Sequence, residues 1–132
     1  MPVVNLTVLR NFMPAGELAA IRSCLTGEEA PYFQAKLIEF SERIRRMPKV
    51  YEQDGKGDSA IAHLRYFRGG NTWYITERDI TPEQIQAFGM VVRHGQEPEL
   101  SYINVAELIA AGAELDLHFS PTCLAQLEAV AA

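Results

Sequence analysis

Long apolar runs, paired cysteines, clustered histidines and a surplus of basic charge are all missing from this 132-residue chain. No run approaches the roughly 18 apolar residues that cross a bilayer. The N-terminus, Met1-Pro2-Val3-Val4-Asn5, carries neither the basic stretch nor the small-residue cleavage site of a secretory signal. A cytoplasmic location with no membrane partner is therefore expected. The two cysteines, Cys24 and Cys123, form no C-x-x-C pair, and a reducing compartment keeps such residues as thiols. Both are expected to pack on helix faces. His63, His94 and His118 are the only histidines and fall in no compact ligand spacing, so neither a metal nor a cofactor is expected. Twelve Lys and Arg against seventeen Asp and Glu leave a formal charge of -5. Proteins whose main task is holding nucleic acid draw on Lys and Arg against phosphate, so direct nucleic-acid binding is not expected.

What remains is the composition of one globular α+β domain, 48% hydrophobic and 22% charged. Residues 1–48 read as a helical hairpin. Pro14 to Leu25 carries Leu18, Ile21 and Leu25 at helical steps and ends at Gly27; Phe33, Leu37, Phe40, Ile44 and Met47 then repeat at 4, 3, 4, 3 spacing up to Pro48. Residues 49–132 read as a sheet with C-terminal helices. Asp54-Gly55-Lys56-Gly57-Asp58 is a loop, and Ile61 to Phe67 and Thr72 to Glu77 flank a glycine-bearing turn as a β-hairpin. Ala87 to Arg93 and Leu100 to Ile103 extend this into an antiparallel meander. Asn104 and Glu107 cap a short helix that Gly112 ends, Leu115 to Phe119 alternates as a strand, and Ser120-Pro121 opens a closing helix striped by Leu124, Leu127 and Val130.

No nucleophile elbow or phosphate-binding glycine loop occurs. Glu77, on one strand face with Trp73 and Ile75, is a candidate general base if that face lines a cleft with His63 or His118; the plainer reading is a solvated carboxylate. Asp116 is placed to orient His118. Arg43, Arg45, Arg46 and Lys49 form the one basic run, and Tyr51, Tyr66, Phe67, Trp73 and Tyr74 are possible stacking faces beside it. The plainer reading is that these cations complement a helix C-terminus.

Met47-Pro48-Lys49-Val50-Tyr51-Glu52-Gln53, Trp73-Tyr74-Ile75-Thr76-Glu77, Phe88-Gly89, Glu99-Leu100-Ser101-Tyr102 and Leu115-Asp116-Leu117-His118-Phe119 occur in that order. The order resembles a domain-of-unknown-function family carried by plasmids, phages and integrative elements. The resemblance spans about the last two thirds of the chain, with the N-terminal hairpin as an extension, and Ser101 stands where glycine is expected. It implies a context of maintenance, transfer or counter-defence, the last including inhibition of restriction and CRISPR systems, and it carries over no catalytic residue.

The leading expectation is thus a mobile-element accessory protein that binds a host protein or protein–nucleic acid complex through an acidic surface of Glu28, Glu29, Glu52, Asp54 and Asp58. A small enzyme using Glu77 with His63 or His118 is the alternative, and a nucleic-acid-binding accessory protein a third reading. Either a monomer or a homodimer paired through the N-terminal hairpin fits the sequence.

Overall fold

The computed structural model describes residues 6–53 and 55–131. The expected leader-free N-terminus at Met1 to Asn5, Asp54 of the acidic set and the Val130 side chain fall outside the described residues.

Three helices come first: α1 (Leu6–Arg10), α2 (Ala15–Ser23) and α3 (Ala30–Arg46), with a 3-10 turn, Cys24–Thr26, leading out of α2. The apolar stripe of α3 buries Leu37, Phe40 and Ile44, as its 4, 3 spacing demands. The N-terminal helix α1 was not anticipated, because five residues are too few to show a helical period. It contributes Leu9 to the core, and the chain just after it adds Phe12 and Met13.

The strands are β1 (Ile61–Ala62), β2 (Leu64–Arg68), β3 (Asn71–Glu77), β4 (Ala87–Val92), β5 (Glu99–Ile103), β6 (Glu114–Leu115) and β7 (Thr122–Cys123); α4 (Val105–Ala110) and α5 (Leu124–Ala131) complete the order. β2 to β5 form the expected antiparallel meander. After α4, β6 returns to the free edge of β2, giving the order β5-β4-β3-β2-β6. The β2–β3 turn pairs Arg68 with Asn71, and Gly69 takes a φ of +58° there, which suits a two-residue hairpin loop.

Alternation along the strands divides the sheet into two faces. Leu64, Tyr66, Ile75, Val91 and Ile103 meet the N-terminal helices in the larger core, which settles the face those helices cover. Tyr74, Met90 and Val92 lie on the other face with Ala62, Phe119 and Leu124.

Two C-terminal expectations need correction. The strand expected over Leu115 to Phe119 stops early: the backbone N–H of Asp116 still donates to the Arg65 carbonyl, 2.9 Å, and then Phe119 N–H folds back onto the Asp116 carbonyl. The cause is the Asp116 carboxylate, which accepts from the His118 backbone N–H and from Arg65 Nη1, each at 2.9 Å. Such a local side-chain bond offers the chain a turn in place of a ladder. The closing helix likewise starts at Leu124 and not at Pro121. Thr122 and Cys123 pair with Ala62 and Ile61 in a two-stranded ladder, and Leu124 N–H donates to the Ala60 carbonyl. Cys123 is accordingly a strand residue, and Cys24 sits at the end of α2; both are half-buried thiols.

Candidate functional site: an aromatic-rimmed cleft over a buried carboxylate

The ladder between β3 and β4 pairs Ile75 with Gly89 and then Glu77 with Phe88, leaving Thr76 as an extra residue. This is a β-bulge, and a bulge re-aims the side chains that follow it. Strict alternation places Glu77 beside Trp73 and Ile75; the bulge instead sets it opposite Phe88, on the face away from the N-terminal helices. Gly89 makes the close approach possible, since a Cβ there would lie 1.8 Å from the Tyr74 carbonyl oxygen.

Glu77 is not the solvated carboxylate of the plainer reading: it is only 4% exposed. It lies at the base of a cleft of about 480 Å³ whose walls include Val50, Ala60, Phe88 and Leu124. Its Oε1 accepts from Gln53 N–H at 3.0 Å, and the Thr76 hydroxyl lies 3.1 Å from its Oε2 and 3.1 Å from the Phe88 carbonyl. Among the described residues, Glu77 makes no ion pair.

Val50, Tyr51, Gln53, Gly55, Gly57 and Ala60 form one side of the cleft. They are anchored where Val50 N–H donates to the Arg78 carbonyl and Arg78 N–H to the Pro48 carbonyl, each at 2.9 Å. The buried Gln53 amide then fastens the segment to two strands. Its Nε2 donates to the carbonyls of Ile61 and Thr76, and its Oε1 accepts from Ile61 N–H.

The rim is aromatic. Tyr51 and Tyr102 are 65% and 51% exposed, and their hydroxyls hydrogen-bond across the mouth at 2.5 Å. Phe88 meets Tyr102 edge to face with ring centroids 5.5 Å apart. Tyr51 occupies the third position of a turn closed by Glu52 N–H on the Lys49 carbonyl, with a φ of +78°. That position favours glycine, and holding a bulky residue there costs about 1–3 kcal/mol. The strained backbone presents the ring to the cleft.

Neither histidine joins this site. Neither lines the cleft, and neither is a hydrogen-bond partner of Glu77. His63 is half-buried beside Arg43, and burial, aided by that cation, holds its imidazole pKa below the ordinary value. His118 is exposed, and Asp116 engages its backbone and not its ring.

The basic run is largely satisfied within the fold. Arg43 lies over the Phe40 ring, bonds the Phe119 carbonyl at 2.6 Å and pairs with Glu39; Arg45 and Arg46 share Glu42. Of the proposed stacking faces, Tyr66 is fully buried, its hydroxyl donating to the Phe12 carbonyl, and Tyr74 packs on Phe119. Trp73 packs against the larger core. Only Tyr51 of that set is an exposed rim residue.

The described members of the acidic set lie on two segments of the chain. Glu28 and Glu29 are exposed just before α3, whereas Glu52 and Asp58 are exposed in the segment that follows it. The seventeen-residue helix α3, roughly 25 Å long at 1.5 Å per residue, lies between the two groups along the chain. Glu52 is also engaged, its Oε1 accepting from Lys49 N–H at 2.6 Å. Asp58 sits against Glu128, whose carboxyl is raised above the ordinary value, first by desolvation and then by Asp58.

Comparison with protein-family models, curated proteins and solved structures finds no match. Among the described residues no group of three or more His, Cys, Asp or Glu is placed to hold a metal ion, and no helix is long and apolar enough to cross a membrane. Sequence reasoning singled out Glu77 and Tyr51 but missed Gln53, Phe88 and Tyr102 as site residues. Segments 47–53, 73–77, 88–89 and 99–102 all reach this cleft or its immediate support, while 115–119 does not.

Proposed function

We propose that the protein acts by binding, as a mobile-element accessory factor that captures a basic surface of a host defence complex of the restriction or CRISPR type. One observation carries the binding part of this reading: a mostly apolar cleft, rimmed by exposed tyrosines, encloses a carboxylate that has no cationic partner among the described residues. Exposed aromatics around a desolvated centre are the composition of interaction hot spots, and the formal charge of -5 favours encounter with a basic partner. The mobile-element context rests on the sequence resemblance alone. An enzymatic reading through Glu77 gains no support from its surroundings, because neither candidate histidine reaches that carboxylate.

The experiment is plasmid transformation into matched hosts with and without an active restriction or CRISPR system, the protein being expressed in each. A rise in transformation of about tenfold or more confined to the defended host, and lost with Tyr102→Ala, supports the reading. Equal efficiencies in defended and undefended hosts across the systems tried overturn it, and a rise that Tyr102→Ala leaves intact removes the cleft from the mechanism.

A further inference from the structure

We infer that the cleft is a receptor for one guanidinium group, that of an arginine side chain presented by the partner; this deepens the binding reading above and rests on it. The floor supplies the charge. A carboxylate has about two acceptor sites on each oxygen; Gln53 N–H takes one on Glu77 Oε1, and the Thr76 hydroxyl, whose single proton is shared between Oε2 and the Phe88 carbonyl, takes at most one on Oε2. One site on each oxygen is left, the pattern that a two-pronged donor satisfies. Burying a carboxylate without a countercharge is costly, and no Lys, Arg or His of the described residues supplies one.

The walls select the kind of cation. Phe88 and Tyr102 meet edge to face, and Tyr51 is tied to Tyr102 across the mouth, so rings stand around the approach to the carboxylate. A flat, weakly hydrated cation stacks on such rings while its fork reaches the oxygens; an ammonium is compact and more strongly hydrated, and surrenders more on entering an apolar cleft. The three-carbon stem of arginine suits the apolar lining of Val50, Leu100 and Leu124. The volume of about 480 Å³ leaves room for the stem as well as the guanidinium.

The test is a titration of the intact protein, followed by amide NMR, with N-acetyl-arginine N-methylamide and with its citrulline and lysine counterparts. The arginine probe should move the Gln53, Glu77 and Phe88 resonances saturably. Citrulline, nearly the same shape without the charge, should bind at least about tenfold more weakly, and lysine several-fold more weakly. Glu77→Gln keeps an acceptor for Gln53 N–H and should cost the arginine probe about tenfold; Tyr102→Leu, at the exposed rim, should weaken it without unfolding the chain. Citrulline or lysine binding as well as arginine, arginine binding unaffected in both variants, or no saturable shift up to ~100 mM probe would each overturn the inference. Arginine binding without relief of host defence would sink the proposed host role and leave the receptor standing; relief of defence that survives Glu77→Gln would do the reverse.

Discussion

Replacing Gly89 with alanine should be among the most damaging single-methyl additions available to this chain. The new Cβ would lie 1.8 Å from the Tyr74 carbonyl oxygen, 2.9 Å from its carbon and 3.0 Å from the Ile75 Cα. All three are backbone atoms of the adjoining strand, so no side-chain rotation relieves the overlap. β4 and β3 must separate by more than an ångström where Ile75 pairs with Gly89. Overpacking a tight site costs typically 1–3 kcal/mol and more where the backbone has to move; we expect about 3 kcal/mol or more. The reduced freedom of the unfolded chain returns only about 0.4–1 kcal/mol of that. At roughly 3–5 °C per kcal/mol for a chain of this length, Tm should fall by about 10 °C or more, and the urea midpoint should fall with it. Gly16→Ala is the control of opposite sign: its Cβ meets nothing within 4 Å inside α2, so it should stabilise by about 0.5–1 kcal/mol. A Gly89→Ala variant within about 0.5 kcal/mol of the parent would refute the close-approach argument and the bulge geometry with it.

Gln53→Leu removes three side-chain hydrogen bonds and strands the Ile61 N–H; a loss of about 2–3 kcal/mol is expected in urea unfolding, and a neutral effect would mean that this buried amide does not fasten the chain at position 53 to β1 and β3. Tyr51→Gly relieves the positive φ, so stability should stay level or rise by up to about 1 kcal/mol while affinity for the arginine probe falls; a clear drop in Tm would show that the turn is unstrained. Burial chiefly lifts the Glu17 carboxyl from 4.5 to about 7, against the Leu115 N–H that lowers it and with Glu114 and Asp116 raising it further. The folded chain then binds this proton more readily than the unfolded one, so the contribution is full below about pH 4.5 and is lost as pH rises through about 7. Glu17→Gln should flatten that part of the stability profile, and an unchanged slope would contradict the assignment. Asp79 runs the other way: burial opposes its ionisation, but the N–H groups of Gln86, Thr81 and Ile85 and the Thr81 hydroxyl hold its carboxyl below the ordinary value. Asp79→Asn should therefore cost stability near neutral pH and progressively less as pH falls through the carboxylate range, a convergence that paired urea melts would detect.

The fold was legible where periodicity runs long. The α3 stripe, the glycine hairpin and the Asn104 cap, whose side chain accepts from Glu107 N–H at 2.9 Å, all follow from local chemistry. The site was legible only in part, because its key event is a one-residue irregularity. Nothing in Trp73-Tyr74-Ile75-Thr76-Glu77 marks Thr76 as the extra residue; the bulge depends on a glycine in the next strand, and strict alternation consequently put Glu77 on the wrong face. Gln53 reads as one more polar residue in a turn, since the carbonyls it serves lie on strands 8 and 23 residues away. The late start of α5 shares that origin, because a ladder with β1 about sixty residues away outweighed a sound local cap signal; the strand at Asp116 ends early for a local reason, its carboxylate accepting from the His118 N–H two residues on.

The small ladder between β1 and β7 has a kinetic consequence. It brings Leu124 against a wall begun at Val50 and Ala60, closing a loop of more than sixty residues. Such a closure becomes favourable only once the intervening sheet has formed. The cleft is then among the last parts of the molecule to be completed, so recovery of arginine binding during refolding should lag behind the return of sheet structure.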